Sequence, residues 1–251
     1  MRKNILALLV LLGCVTYSNA FESGQFSLES PSILAKSEAA LTIRHRFYGK
    51  IEKAENFFGI DDGGNVMLQL RYAPLDNFLI EVHHTRDNKE YNFALGYSYD
   101  FDFIKASYTV NAFSLKLSEF KDRQTSYFGN LSLQTPNYFN HLILTANLGY
   151  DGYYENLNAG FGADFNVANM FSQSLTFTER ISIMAEYYPQ SSKIDGVSGK
   201  YDSYAAGIKF QTFAHHFEIL VSNSVGMDSR TMMLGTNDNY LHFGFNINRK
   251  F

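Results

Sequence analysis

Seven histidines carry most of this chain's capacity for acid–base or metal chemistry near neutral pH, and four of them stand as adjacent pairs, His83-His84 and His215-His216. Adjacent rings grip one ion only where the backbone turns both to the same side. On an extended strand neighbouring side chains point to opposite faces, so neither pair closes on a metal in regular geometry, and no metal site or cofactor is expected. The run Asp61-Asp62-Gly63-Gly64-Asn65 is rich in oxygen and glycine. It could hold a divalent cation, but the same composition makes an ordinary turn before a strand, and that reading is preferred. Nucleophilic hydrolysis needs a Ser, a His and an orienting group on one patch, with an oxyanion donor nearby. His84 beside Thr85, or His141 with Ser132 on a neighbouring strand, are the pairs that could be forced together. No GxSxG elbow, HExxH helix, Walker loop or GxGxxG run occurs. Cys14 is the single cysteine, so the rest of the chain has no disulfide and no thiol nucleophile. No catalytic residue is assigned.

The charge balance removes further classes. The 251 residues carry 21 Lys and Arg against 25 Asp and Glu, a net charge of -4. Nothing is left over to neutralise phosphates, and nucleic acid is excluded as a partner. Helical membrane proteins need uncharged apolar runs of about 20 residues. Beyond the leader none exists, since the longest uncharged stretch, Gln124 to Tyr150, is broken by Pro136 and studded with Asn and Gln.

The elements that must position any chemistry have a period of two. Val66, Leu68, Leu70 and Tyr72 alternate with Asn65, Met67, Gln69 and Arg71, and Tyr91, Phe93, Leu95 and Tyr97 alternate with Asn92, Ala94, Gly96 and Ser98. The pattern recurs at 39–49, 64–73, 77–85, 89–98, 102–111, 125–134, 140–150, 158–168, 175–188, 201–211, 214–223 and 239–251, which predicts about 12 strands. Their connections alternate in length. Long ones at 50–63, 112–124, 189–200 and 224–238 are interleaved with short ones at 73–76, 99–101, 135–139 and 212–213. A transmembrane β-barrel has this asymmetry, with tight periplasmic turns and longer external loops. The expected fold is therefore all-β, a closed antiparallel transmembrane β-barrel over 39–251.

Other features agree. Leu241, Phe243, Phe245, Ile247 and Phe251 share one parity at the carboxyl end, the pattern of a C-terminal insertion signal read by barrel assembly machinery. Tyr48, Tyr72, Tyr97, Tyr150, Tyr187, Tyr188, Tyr201, Tyr204 and Tyr240 fall near strand ends, where a ring with a polar tip suits the headgroup level. Residues 1–20 read as a signal peptide: basic Arg2 and Lys3, apolar Ile5 to Leu12, then Ser18-Asn19-Ala20 before a mature start at Phe21. A rival reading takes Leu11-Leu12-Gly13-Cys14 as a lipoprotein box. Residues 21–38 are expected as a periplasmic lead-in, and the location as the outer membrane of a Gram-negative bacterium.

Parity also assigns the inner face. Arg44, Arg46, Arg71, Lys105, Arg180 and Lys209 point into the lumen with Glu81, Asp164, Glu186 and Glu218, among Asn65, Gln69, Asn92, Asn130, Asn147 and Asn166. Facing lipid, the basic members would cost about 2–4 kcal/mol each near the midplane. So balanced a set suits a cross-strand salt-bridge network better than an ion-selective pore.

His45-Arg46-Phe47 followed by Phe57-Phe58-Gly59-Ile60-Asp61 resembles the opening of a domain-of-unknown-function family of bacterial outer-membrane β-barrels. The run from Thr212 through Asn223-Ser224-Val225-Gly226-Met227 and the closing Gly244-Phe245-Asn246-Ile247-Asn248-Arg249-Lys250-Phe251 are similar to that family's end. Where the family has Gly-Gly this chain has Phe213-Ala214, so a tight turn built on those glycines is not carried over. The resemblance implies fold and location, not chemistry. Expected partners are outer-membrane lipid, the assembly machinery and small solutes. Two functions lead, a narrow small-solute passage and a structural or assembly element with a salt-bridged lumen. A lipid-face hydrolase, a loop-borne protease and a loop-mediated binding protein are the alternatives.

Overall fold

The structure, a computed structural model, describes residues 24–31, 34–52, 54–118, 120–138, 141–168, 178, 180–190, 199–212 and 215–251. The leader, Cys14 and Phe213-Ala214 lie outside the described residues.

Twelve strands form one sheet closed on itself: β1 Ala39–Phe47, β2 Gly64–Leu75, β3 Phe78–Thr85, β4 Glu90–Phe101, β5 Ile104–Leu115, β6 Gln124–Gln134, β7 Leu142–Asp151, β8 Asn156–Asn166, β9 Arg180–Tyr188, β10 Ser203–Gln211, β11 His215–Ser222 and β12 His242–Lys250. Each pairs antiparallel with its sequence neighbour. Closure comes from β1 against β12 in the register Ala40↔Lys250 to Arg46↔Gly244. Ala39 and Phe251 exchange two backbone hydrogen bonds at the seam, 3.2 and 2.8 Å, and Lys250 pairs with Glu38 at 2.7 Å.

Burial along the strands is inverted relative to a protein folded in water. Leu68, Phe93 and Ile183 are 52%, 46% and 55% exposed, while Asn130, Ser132 and Glu218 are 1% exposed or less. The apolar residues face outward around the wall and the polar ones fill it. A closed sheet with that polarity satisfies its backbone internally and meets lipid with its greasy side.

Several expectations need correction. β9 is described from Arg180, and the start of the strand expected from 175, with the connection expected at 169–174, lies outside the described residues. Arg71 and Glu81 sit directly opposite one another, and the β2–β3 register shifts between Tyr72 and Leu75 before the turn. Tyr188 is fully buried in the lumen, on the opposite parity to lipid-facing Tyr187.

The largest differences concern segments without periodicity. The lead-in does not stay outside: Gln25 to Leu28 are buried within the barrel. The long β11–β12 connection is not a wholly external loop either. It folds inward and carries a one-turn helix, α1, Ser229–Met233, started by a capping box between Asp228 and Thr231.

Candidate functional site: the plugged lumen

Strand parity supplies a polar wall, and two segments fill what it encloses. The N-terminal segment is held through its backbone. One Glu186 carboxylate oxygen accepts from the N–H groups of Ser27 and Leu28 at 2.9 and 3.1 Å, and the other from the Tyr188 hydroxyl at 3.1 Å. Asn147 brackets Glu29, accepting from its N–H at 2.9 Å and donating to its C=O at 2.7 Å, where the Ser132 hydroxyl also donates. The Glu29 carboxylate accepts from Thr109 and Asn130 at 2.8 and 3.1 Å. Arg46, with no exposed surface, donates to Asn246 at 2.8 Å and to the His45 carbonyl at 2.9 Å, while Asn246 donates to the Phe26 carbonyl at 2.9 Å.

The inward loop is fixed in the same manner. Arg44 donates to the Met227 carbonyl, Asn65 to that of Val225 at 3.2 Å, and Asn158 to that of Met233 at 2.9 Å. Ser229 joins the two plugs, donating to the Ser27 carbonyl and accepting from the Glu29 N–H at 3.0 Å. Arg230 reaches across to Glu90 and Asp151 and lies over the Phe113 ring, 4.1 Å from its centroid. Burial lowers the affinity of its guanidinium for a proton, but the carboxylates of Glu90, Asp228 and Asp151 outweigh that and the net shift is upward. Burial pushes the Asp228 carboxyl up, yet Arg230, His83 and the Thr231 hydrogen bonds hold it below the ordinary range.

Apolar packing completes the seal. Leu28, Phe113, Leu115, Phe128, Tyr188, Met232 and Met233 form one buried cluster. Gly160 is the wall's concession to it, since a Cβ there would stand 2.6 Å from the Tyr188 ring and 2.8 Å from Leu28. Between Glu29, Arg71, Glu81 and His83 a cavity of about 40 Å³ survives, room for a few waters.

The ten lumen charges read from parity do not form one salt-bridge network. Asp164 gathers Arg180, at 2.7 Å, and Lys209. Arg44, Arg46 and Glu186 instead anchor plug backbone, and Glu218 accepts from Asn246. Arg71 donates to Thr42 at 3.3 Å beside its register partner Glu81, which contacts His83 at 3.2 Å. Lys105 lies at the turn end of β5, part-exposed, 3.9 Å from Asp100 rather than deep in the lumen. Phe243, Phe245, Ile247 and Phe251 are half-buried along the outer side of β12 and its end.

The hydrolytic pairs do not form. His84 bonds the Glu90 carbonyl and stacks on Tyr91 on the outer face, whereas Thr85 is buried inside. His141 bonds the Asn166 carbonyl, while Ser132 is committed to Glu29. His215 stacks on Phe217 and His216 is buried. Asp62 accepts from Asn56 at 3.1 Å in the loop between β1 and β2. What sequence reading missed are Glu29, Glu90, Asp151, Asp228 and Arg230. Parity could have placed Glu90, one residue before the greasy Tyr91. Arg230 sits in a connection, and nothing local signals that it turns inward.

Fold and site together define an outer-membrane β-barrel with an internally occupied lumen. The chain belongs to the family described as Membrane bound beta barrel domain (DUF5777), matched over residues 21–145 and 153–251. No curated protein sequence matches it. Among solved structures it is similar to the Acinetobacter baumannii outer membrane protein Omp33, at 9% identity and a TM-score of 0.48, over 86% of this chain and 99% of that one. It is similar to the Escherichia coli outer membrane phospholipase A, at 11% identity and a TM-score of 0.46, over 86% and 91%. A Rhodopseudomonas blastica porin aligns at 9% identity and a TM-score of 0.40, over 95% and 68%.

Proposed function

We propose that this protein is a closed barrel, a structural or assembly element of the outer membrane rather than an open passage. The carrying observation is Glu186, buried inside the barrel and spent on two backbone N–H groups of the N-terminal segment. A carboxylate so used makes that segment part of the wall, because withdrawing it would strand both partners. The apolar cluster of Leu28 with Met232 and Met233 adds to the seal.

The rest of the reading follows from residues already placed. Residues 1–20 direct export and are removed after Ala20, and β12 with Phe243, Phe245, Ile247 and Phe251 is what the assembly machinery reads. Single-channel recording of the refolded full chain in planar bilayers tests the proposal: a flat baseline is expected. Regular openings would overturn it in favour of a narrow solute passage, which the 40 Å³ cavity and a second one of about 240 Å³ under the external loops favour.

A further inference from the structure

We propose that His83, Glu90 and Asp228 form a binding site for a divalent transition-metal cation, which ties the inward loop to the barrel wall. One ligand atom from each lies within 4.8 Å of the other two. The three come from β3, β4 and the residue preceding α1, so they meet only because the loop folds inward.

Each ligand is held at one atom by a second partner, which leaves another atom for an ion. His83 Nδ1 lies 3.2 Å from the Glu81 carboxylate, which has no proton to give. The ring therefore donates from Nδ1, and in its neutral form Nε2 carries a lone pair, the arrangement in which a carboxylate fixes a metal-binding imidazole. Arg230 takes Glu90 Oε2, and Thr231 binds Asp228 Oδ1 through its N–H and its hydroxyl, both at 2.7 Å. That leaves Nε2 of His83, Oε1 of Glu90 and Oδ2 of Asp228.

The His83 and Glu90 side chains are 3% and 4% exposed, yet among the described residues His83 Nε2 and Glu90 Oε1 have no hydrogen-bond partner. Asp228 Oδ2 stands 3.8 Å from Nε2, so with the ring neutral two acceptors face each other. Such a pairing is costly in a buried place unless a cation or a proton occupies the gap. Charge favours the cation, since Glu90, Asp151 and Asp228 share the single guanidinium of Arg230.

One imidazole with carboxylates suits zinc and its neighbours, with bonds of about 2.0–2.2 Å that side-chain rotation would supply. Entry is open, because the cavity of about 240 Å³ under the external loops is lined by Glu90 and Asp228. The inference goes beyond the closed-barrel reading and is read out by binding, so conductance failing to behave as proposed leaves it standing.

The test uses the refolded full chain in detergent, stripped with EDTA and titrated with zinc chloride by calorimetry. One Zn²⁺ per chain is expected, weakened by more than about tenfold in His83→Ala and in Asp228→Asn and unchanged in His84→Ala, whose ring faces outward. Gel mobility before and after heating checks that each variant is folded. Should His83→Ala fail to fold, ¹⁵N-histidine NMR of the wild-type chain serves instead, with zinc shifting the Nε2 of one imidazole. Absence of stoichiometric binding, affinity unchanged in both ligand variants, or no imidazole shift would overturn the site and leave a proton shared between His83 and Asp228.

Discussion

Glu186 shows how a single side chain can decide what the interior is. Its carboxylate accepts from Ser27 N–H, Leu28 N–H and the Tyr188 hydroxyl. In Glu186→Ala two buried amide donors lose their acceptor at about 1–3 kcal/mol each, so a markedly lower temperature of heat modification on gels is expected. Glu186→Gln keeps an acceptor oxygen and should lose much less. Equal stability of Glu186→Ala and wild type would show that the N-terminal segment does not rest on this residue. Strand parity was enough to put Arg46 and Glu186 on the inner face, where both are buried. It could not name their partners, because Phe26, Ser27 and Leu28 belong to a stretch with no period. An expectation of charges satisfying one another was reasonable from strands alone, and Asp164 with Arg180 and Lys209 fits it, whereas Arg44 and Glu186 are spent on plug backbone.

At the level of elements, alternation marks strands reliably because lipid outside and polar filling inside impose opposite demands on successive residues. Connections obey no such rule, and there the sequence misleads. Loop length suggested that 224–238 projects outward, whereas Ser229 has no exposed surface and bonds both Ser27 and Asn147. Single cysteines therefore discriminate the topology. With a membrane-impermeant thiol reagent on intact cells, Lys116→Cys should be labelled, while Asp76→Cys and Asn137→Cys at the opposite rim should not. Ser229→Cys should be silent despite its place in an external connection. Strong labelling at Asn137 with silence at Lys116 would reverse the orientation, and strong labelling at Ser229 would put the loop outside. The last strand carries a separate expectation. Phe251 both presents an outward ring and closes the seam with Ala39 through two backbone bonds. Its deletion should reduce assembled barrel and raise degraded chain on immunoblots, and wild-type levels of heat-modifiable protein would show that the residue is dispensable.

For the whole molecule the question is how the two inserts divide the work of closing the lumen. They touch at Ser229, which bonds Ser27 and Glu29, and they share one apolar cluster through Leu28, Met232 and Met233. Yet each has wall contacts of its own: Glu186, Asn147 and Asn246 hold the first, while Arg44, Asn65 and Asn158 hold the second. Removing residues 24–31 should therefore leave the loop seated, and replacing 225–234 by a short Gly-Ser linker should leave the N-terminal segment seated. Either change alone is expected to give small or intermittent conductance in planar bilayers. Removing both exposes the polar wall from end to end, where water replaces the lost partners, and a steady conductance well above either single variant is expected. Each variant is first shown to be heat-modifiable, so that a leak cannot come from a misassembled barrel. A doubly unplugged barrel that stays silent would mean that the wall collapses inward or that another connection seals it. A full steady conductance from the first deletion alone would show the loop to be no barrier at all.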